Sequence, residues 1–138
     1  MSNWCQNKLT VTGNKLILSF FDEFMKDGFA FSKLDPMPIH LLNNRVTIDT
    51  GRMPGWYEWA LEHWGTKWDL NPPVMFKDGV CLFETAWSPP IAAIKTLSDT
   101  FITLKFELDW YEEAGTAGHA AFTEGVVKEK QWTTVHTA

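Results

Sequence analysis

The apolar positions of the chain alternate between two periods. From Leu16 they recur at helical spacing, as Leu16, Ile17, Phe20, Phe21, Phe24 and Met25, while Ser19, Asp22, Glu23 and Lys26 take the other face. Asn14 stands where an N-cap belongs and Gly28 where a helix stops, so a helix is predicted between them. Ahead of it, Lys8 to Thr12 sets Leu9 and Val11 against threonines, the two-residue period of a strand. Phe29 to Leu34 reads as a short extended piece and 39–52 as loop. Trp56, Trp59, Ala60 and His63 then repeat at offsets of three and four, a short helix ended by Gly65.

Further along, Thr66 to Leu70 reads as extended up to Asn71-Pro72-Pro73. Val80 to Trp87 is apolar on both faces, the pattern of a central strand. Ser88 is placed to cap a helix with Pro89 in its first turn, and Ile91, Ile94, Leu97 and Phe101 line its apolar side. Ile102 to Trp110 alternates over its whole length, so one face is buried and one is wet. A weaker strand follows at Ala120 to Val127. The single domain is therefore expected to span 1–128, with a polar tail at 129–138.

The order β-α-β-β-α-β predicts an α+β, ferredoxin-like split β-α-β fold: an antiparallel sheet with two helices on one face, a short inserted helix and an extra C-terminal strand. Phe20, Phe24, Phe83, Ile94, Phe106 and Leu108 are the expected core. Cys5 and Cys81 fall at opposite ends of neighbouring strands, and both are expected to be free thiols.

Composition narrows the function. With 138 residues, 45% hydrophobic and 21% charged, the chain is a globular domain, and no apolar run reaches the roughly 20 residues of a membrane span. No basic stretch followed by an apolar one marks a signal peptide. Twelve bases against seventeen carboxylates, spread along the chain, do not favour a phosphate backbone as partner. The four histidines and two cysteines show no metal-ligand spacing, and no phosphate loop or nucleophile elbow occurs. Neither a metal nor a cofactor is expected. Glu84, inside a core strand, is the one carboxylate whose position could raise its pKa, although a wet-edge or paired Glu84 is the simpler reading.

Eight tryptophans are far more than usual, and three stand in two short motifs, "WGTKWD" at 64–69 and "TAWSPP" at 85–90. If the first motif is a strand, Trp64 and Trp68 lie roughly 13 Å apart, too far to clamp one ring between them. Packing is then the favoured role for Trp64, Trp68 and Trp87, with an aromatic platform that includes Lys67 and Asp69 as the alternative. Lys67 and Asp69 would share a face as a solvated ion pair.

"NWCQN", "LTVTG", "WGTKWD", "FETAWSPP" and "YEEAG" together resemble the YubB ferredoxin-like family of phages, prophages and conjugative plasmids, over roughly residues 2 to 118. The resemblance implies the split β-α-β fold and a bacterial cytoplasmic setting, and it brings no catalytic residues. Leu41 to Gly55 and the acidic loop running into Gly118-His-Ala-Ala-Phe122 depart from it and are candidate seats of specificity.

The functional expectation is a non-catalytic protein that binds a host or defence-system protein, plausibly inhibiting an antiviral system of the CRISPR kind. Trp56, Trp59, Glu112 and Glu113 are its candidate contacts. A single-stranded nucleic-acid-binding sheet face and an enzyme of unrecognised type are the alternatives.

Overall fold

The computed structural model describes residues 3–43 and 55–133. Five strands form one sheet: β1 (Trp4–Thr12), β2 (Val80–Ala86), β3 (Lys105–Glu112), β4 (Thr116–Thr123) and β5 (Val126–Thr133), in the spatial order β2-β1-β3-β4-β5. Every neighbouring pair is antiparallel. Since β2 and β3 both oppose β1, they run parallel to each other with β1 between them, and α4 (Ile91–Thr100) makes the crossover. That is the split β-α-β unit the sequence predicts. The remaining helices are α1 (Lys15–Phe24), a 3₁₀ turn (Phe31–Lys33), α2 (Ile39–Asn43) and α3 (Gly55–His63).

The core lies between the sheet and the helices. Alternate residues of each strand turn inward: Cys5, Leu9 and Val11 from β1, Cys81 and Phe83 from β2, Phe106, Leu108 and Trp110 from β3, Ala120 and Phe122 from β4. Ile94 and Leu97 of α4 and Phe21 and Met25 of the α1 region meet them. Phe21 is the hub, with ring centroids 5.0 Å from Phe76, 5.2 Å from Phe101 and 5.8 Å from Phe106.

Helix α1 begins as predicted, with the Asn14 side chain accepting a hydrogen bond from the Leu16 amide at 2.8 Å. Its phase differs. Phe20 is 58% exposed and Phe21 is fully buried in its place, while Phe24 is half-buried. At about 100° per residue, Met25, Ile17, Leu18 and Phe24 all fall within about 60° of Phe21, whereas Phe20 and Leu16 lie about 100° and 140° away. The apolar arc is wider than the sheet can cover.

Two expected extended pieces are not strands of the sheet. Phe29 makes one bridge, with amide–carbonyl bonds of 2.7 and 2.9 Å to Val74, and the chain then turns into the 3₁₀ turn. Residues 66–70 are bent, because the Asp69 carboxylate accepts bonds from the amides of Phe31 at 2.6 Å and its neighbour Leu70 at 2.8 Å. The strand at 80–86 is at the edge, not the centre: its exposed-face Leu82 stands 67% in solvent. Ser88 does not cap α4, whose N-cap is Pro90; its hydroxyl donates to Gly65 O instead. The weak strand expected at 120–127 is two strands joined at Glu124-Gly125, and the last reaches Thr133, so half of the expected tail belongs to the sheet.

Register places the two thiols four residues apart along adjacent strands, with Cys5 opposite Thr85 and Cys81 opposite Leu9. That is about 13 Å, beyond disulfide reach. Both thiols are free and fully buried, and burial pushes each up to about 12. The native protein at pH 8 should therefore leave both thiols unreacted with Ellman's reagent, and the unfolded, unreduced protein should yield two. A fast-reacting thiol in the native state would contradict the packing of β1 on β2.

Candidate functional site: the β2 edge and its aromatic end

The two tryptophan motifs are bound to each other. Thr66 Oγ1 donates to Ala86 O at 2.7 Å, Ser88 Oγ to Gly65 O at 2.7 Å and Thr85 Oγ1 to Ser88 O at 2.7 Å. Asn7, buried on the inward face of β1, donates to Thr85 Oγ1 at 2.9 Å. Buried polar groups need partners, and here Thr66 and Ser88 each close a backbone group of the other motif, while Thr85 closes one within its own. The short polar residues between the rings thus fasten the bend at 64–69 onto the turn after β2.

That fastening sorts the tryptophans. Trp64 is buried, with its indole N–H donating to Asp35 O at 2.9 Å, and it packs on Phe31 and Trp59. Trp68 and Trp87 remain 41% and 43% exposed, packed at the rim against Trp4 and Tyr57 and outside the core. Trp87 follows the strand with φ 69°, left-handed backbone that a bulky residue rarely adopts, which swings its ring out of the core. Because 66–70 is bent, the roughly 13 Å separation of an extended segment does not apply.

Lys67 and Asp69 do not pair. The Asp69 carboxylate is occupied by the backbone amides named above, while the Lys67 ammonium sits 4.4 Å from the Trp87 ring centroid, 4.6 Å from Trp68 and 5.9 Å from Tyr57. Trp4 backs this cluster, 6.1 Å from Trp68. Glu113 belongs to the same end: its carboxylate accepts a bond from the Trp4 amide at 2.6 Å. Glu112 is half-buried beside it, and desolvation raises its carboxyl pKa. Trp56 and Trp59 are half-buried against the core, and Trp59 stacks on His63 at 4.2 Å, which in turn meets Asp35 at 2.7 Å. Of the expected contacts, the structure brings Trp64, Lys67, Trp68, Trp87 and Glu113 to one end of the sheet and places Trp59 in packing. Glu84 lies on the wet face of the edge strand and accepts a bond from Gln6 at 2.7 Å. Gly118, in the stretch singled out for specificity, sits in β4 opposite Trp110. The other such stretch, Leu41 to Gly55, lies mostly outside the described residues.

Sequence reasoning missed the edge itself. Val80 exchanges bonds of 2.8 and 3.0 Å with Lys77, on the side away from β1. Val11 bonds Gly79 toward β2, and Trp4 O accepts from Glu113 toward β3, which fixes the alternation along β1. In an antiparallel ladder, backbone groups of alternate residues point to opposite sides. The N–H and C=O of Leu82 and Glu84 therefore face away from β1, and among the described residues nothing pairs with them. Glu84 lines a groove of about 1220 Å³, together with Phe83, Thr85, Pro72, Pro73, Val74 and Met75, and Trp4, Trp56 and Trp68 are among the rest of its lining.

Among the described residues, no group of three or more His, Cys, Asp or Glu side chains is placed to hold a metal ion, and no helix is long and apolar enough to cross a membrane.

Fold and site together define a ferredoxin-like α+β domain with an open edge strand. Residues 63–134, just over half of the chain, match the family model of the ferredoxin-like domain in Api92-like proteins, and the chain belongs to that family. The crystal structure of Api92 from Yersinia pseudotuberculosis superimposes with a TM-score of 0.61, covering 99% of this chain and 100% of that one at 9% identity, a likeness of fold alone. No curated protein matches the chain.

Proposed function

We propose that the protein is a non-catalytic binding module that takes an extended segment of a partner protein onto the outer edge of β2. The observation that carries the reading is the outward pair of Leu82 and Glu84. Their unpaired donors and acceptors, about 6.6 Å apart, match the repeat of one more strand, the mode by which sheet edges recognise peptides. Apolar walls with tryptophans at one end supply the pockets that give such an interface its affinity.

The biological setting in this proposal is that of the resemblance to the YubB ferredoxin-like family: a phage, prophage or plasmid accessory protein in a bacterial cytoplasm, occluding a host or defence-system protein and plausibly inhibiting a CRISPR-type system. A second reading, nucleic-acid binding, has one observation in its favour. Tyr111 and Trp132, both about half exposed, flank Ala117 in one row across the open sheet face. Against it, Glu107 and Asp109 occupy the middle of that face, with His119 2.7 Å from Asp109.

Affinity capture from bacterial lysate, with and without nuclease, separates the two. The proposal expects a protein retained equally in both arms. Loss of all captured material on nuclease treatment would transfer the function to the open sheet face.

A further inference from the structure

We infer that Tyr57, Trp68 and Trp87 form a site for a quaternary or methylated ammonium group, occupied in the free protein by its own Lys67. Three rings from three separate segments converge on one cation, at 4.4, 4.6 and 5.9 Å. Convergence of this kind is how aromatic cages hold choline and methyl-lysine. Among the described residues no carboxylate lies within ion-pair distance of the Lys67 ammonium, so the rings are its principal partners.

The cage is built rather than accidental. Trp87 is held in left-handed backbone, with its amide bonded to Asn3 O at 2.9 Å and the following residue fastened through Ser88 Oγ to Gly65. Strain of that kind persists where the surroundings enforce it and gathers at ligand clamps. The rings brace each other, since Tyr57 meets Trp87 edge-on at 6.0 Å and Trp4 backs Trp68 at 6.1 Å.

Lys67 is a replaceable occupant. A primary ammonium is compact and strongly hydrated, so it loses more water interaction on entering the cage than a methylated ammonium does, and its flexible stem allows it to leave. A quaternary ammonium carries the same charge in a larger, weakly hydrated shell that fills the space between rings. The ligand is thus either a free small molecule or a trimethylated lysine in a protein. The site adjoins the β2 edge, since Trp68 also lines the groove and Trp87 directly follows the strand, but it uses ring faces and not the outward backbone groups, so it can exist whether or not the edge binds a strand.

The test is titration of the native protein and of Lys67→Ala with choline, followed by tryptophan fluorescence, beside N-acetyl-trimethyllysine and the neutral isostere 3,3-dimethylbutanol. Lys67→Ala should bind choline saturably and about tenfold more tightly than the native protein, because the competing cation is gone. The neutral isostere should bind at least about tenfold more weakly than choline. Tighter binding of trimethyllysine than of choline assigns the source to a modified protein, and the reverse order to a small molecule. Adding Trp68→Ala or Trp87→Ala should abolish the response; the two residues are only 41% and 43% exposed, so melting curves of each variant check that it folds. No saturable response in Lys67→Ala, equal binding of the neutral isostere, or a response that survives both tryptophan removals would overturn the inference. None of these outcomes depends on capturing a partner from lysate.

Discussion

Phe21→Ala should lower stability by about 3–5 kcal/mol, while Phe20→Ala changes it by less than about 1 kcal/mol. The two side chains are adjacent and chemically identical, and only the phase of α1 separates them. Phe21 is fully buried among Phe76, Phe101 and Phe106, so truncation removes three edge-on or tilted ring contacts and leaves a cavity that the sheet cannot collapse to fill. Phe20, 58% exposed, loses little on truncation. Chemical denaturation of the two variants checks the pair. Equal costs, or the larger cost at Phe20, would mean that the helix is rotated by about 100° from the orientation described.

Gly118→Ala should cost about 3 kcal/mol for the addition of one methyl group. Gly118 lies opposite Trp110 in the β3–β4 ladder, on the inward face, and the indole ring occupies the space where a side chain would start. A Cβ at this position overlaps Cζ2, Cε2 and Cη2 of the ring, so either Trp110 leaves its buried site or the strands separate. If the ring is the cause, the two positions must be coupled. Replacing Trp110 by Leu in the Gly118→Ala background should recover about 1–2 kcal/mol relative to the sum of the single changes. Additive single-variant costs would place the strain elsewhere.

The fold was legible where the pattern was governed by one buried face. β3 alternates because Phe106, Leu108 and Trp110 all enter one core, and α4 shows its apolar side for the same reason. α1 was legible as a helix but not in phase, because seven apolar residues spread over more arc than the sheet covers. The beginning of β1 was hidden by Asn7, a residue depleted in strands, which is buried here because its amide closes a polar network with Thr85. β2 looked central because an exposed Leu82 is indistinguishable from a buried one in a short apolar run.

The candidate site was less legible. "WGTKWD" and "TAWSPP" stood out by composition, yet their meaning is a contact between them, made by Thr66 and Ser88 across 20 and 23 residues of sequence. No local period encodes such a contact. Asp69 looked like half of an ion pair because its real partners are backbone amides more than thirty residues upstream, at Phe31 and Ser32. The open edge depends on strand order, which a single sequence does not display.

On the proposed function, a partner strand pairs with the outward backbone groups of β2. Glu84→Pro tests it most directly, because it removes one outward N–H while leaving the β1–β2 ladder intact: Glu84 faces Gln6 in a pair that exchanges no backbone bonds with β1. Proline is tolerated where a strand's N–H faces outward from an edge. The measurement is affinity capture by wild type and by Glu84→Pro from the same lysate, with melting curves to confirm that both are folded. A captured protein is expected whose recovery falls by at least about tenfold in Glu84→Pro, the scale of losing a backbone hydrogen bond and leaving its partner unpaired. Equal recovery by the folded variant would contradict it.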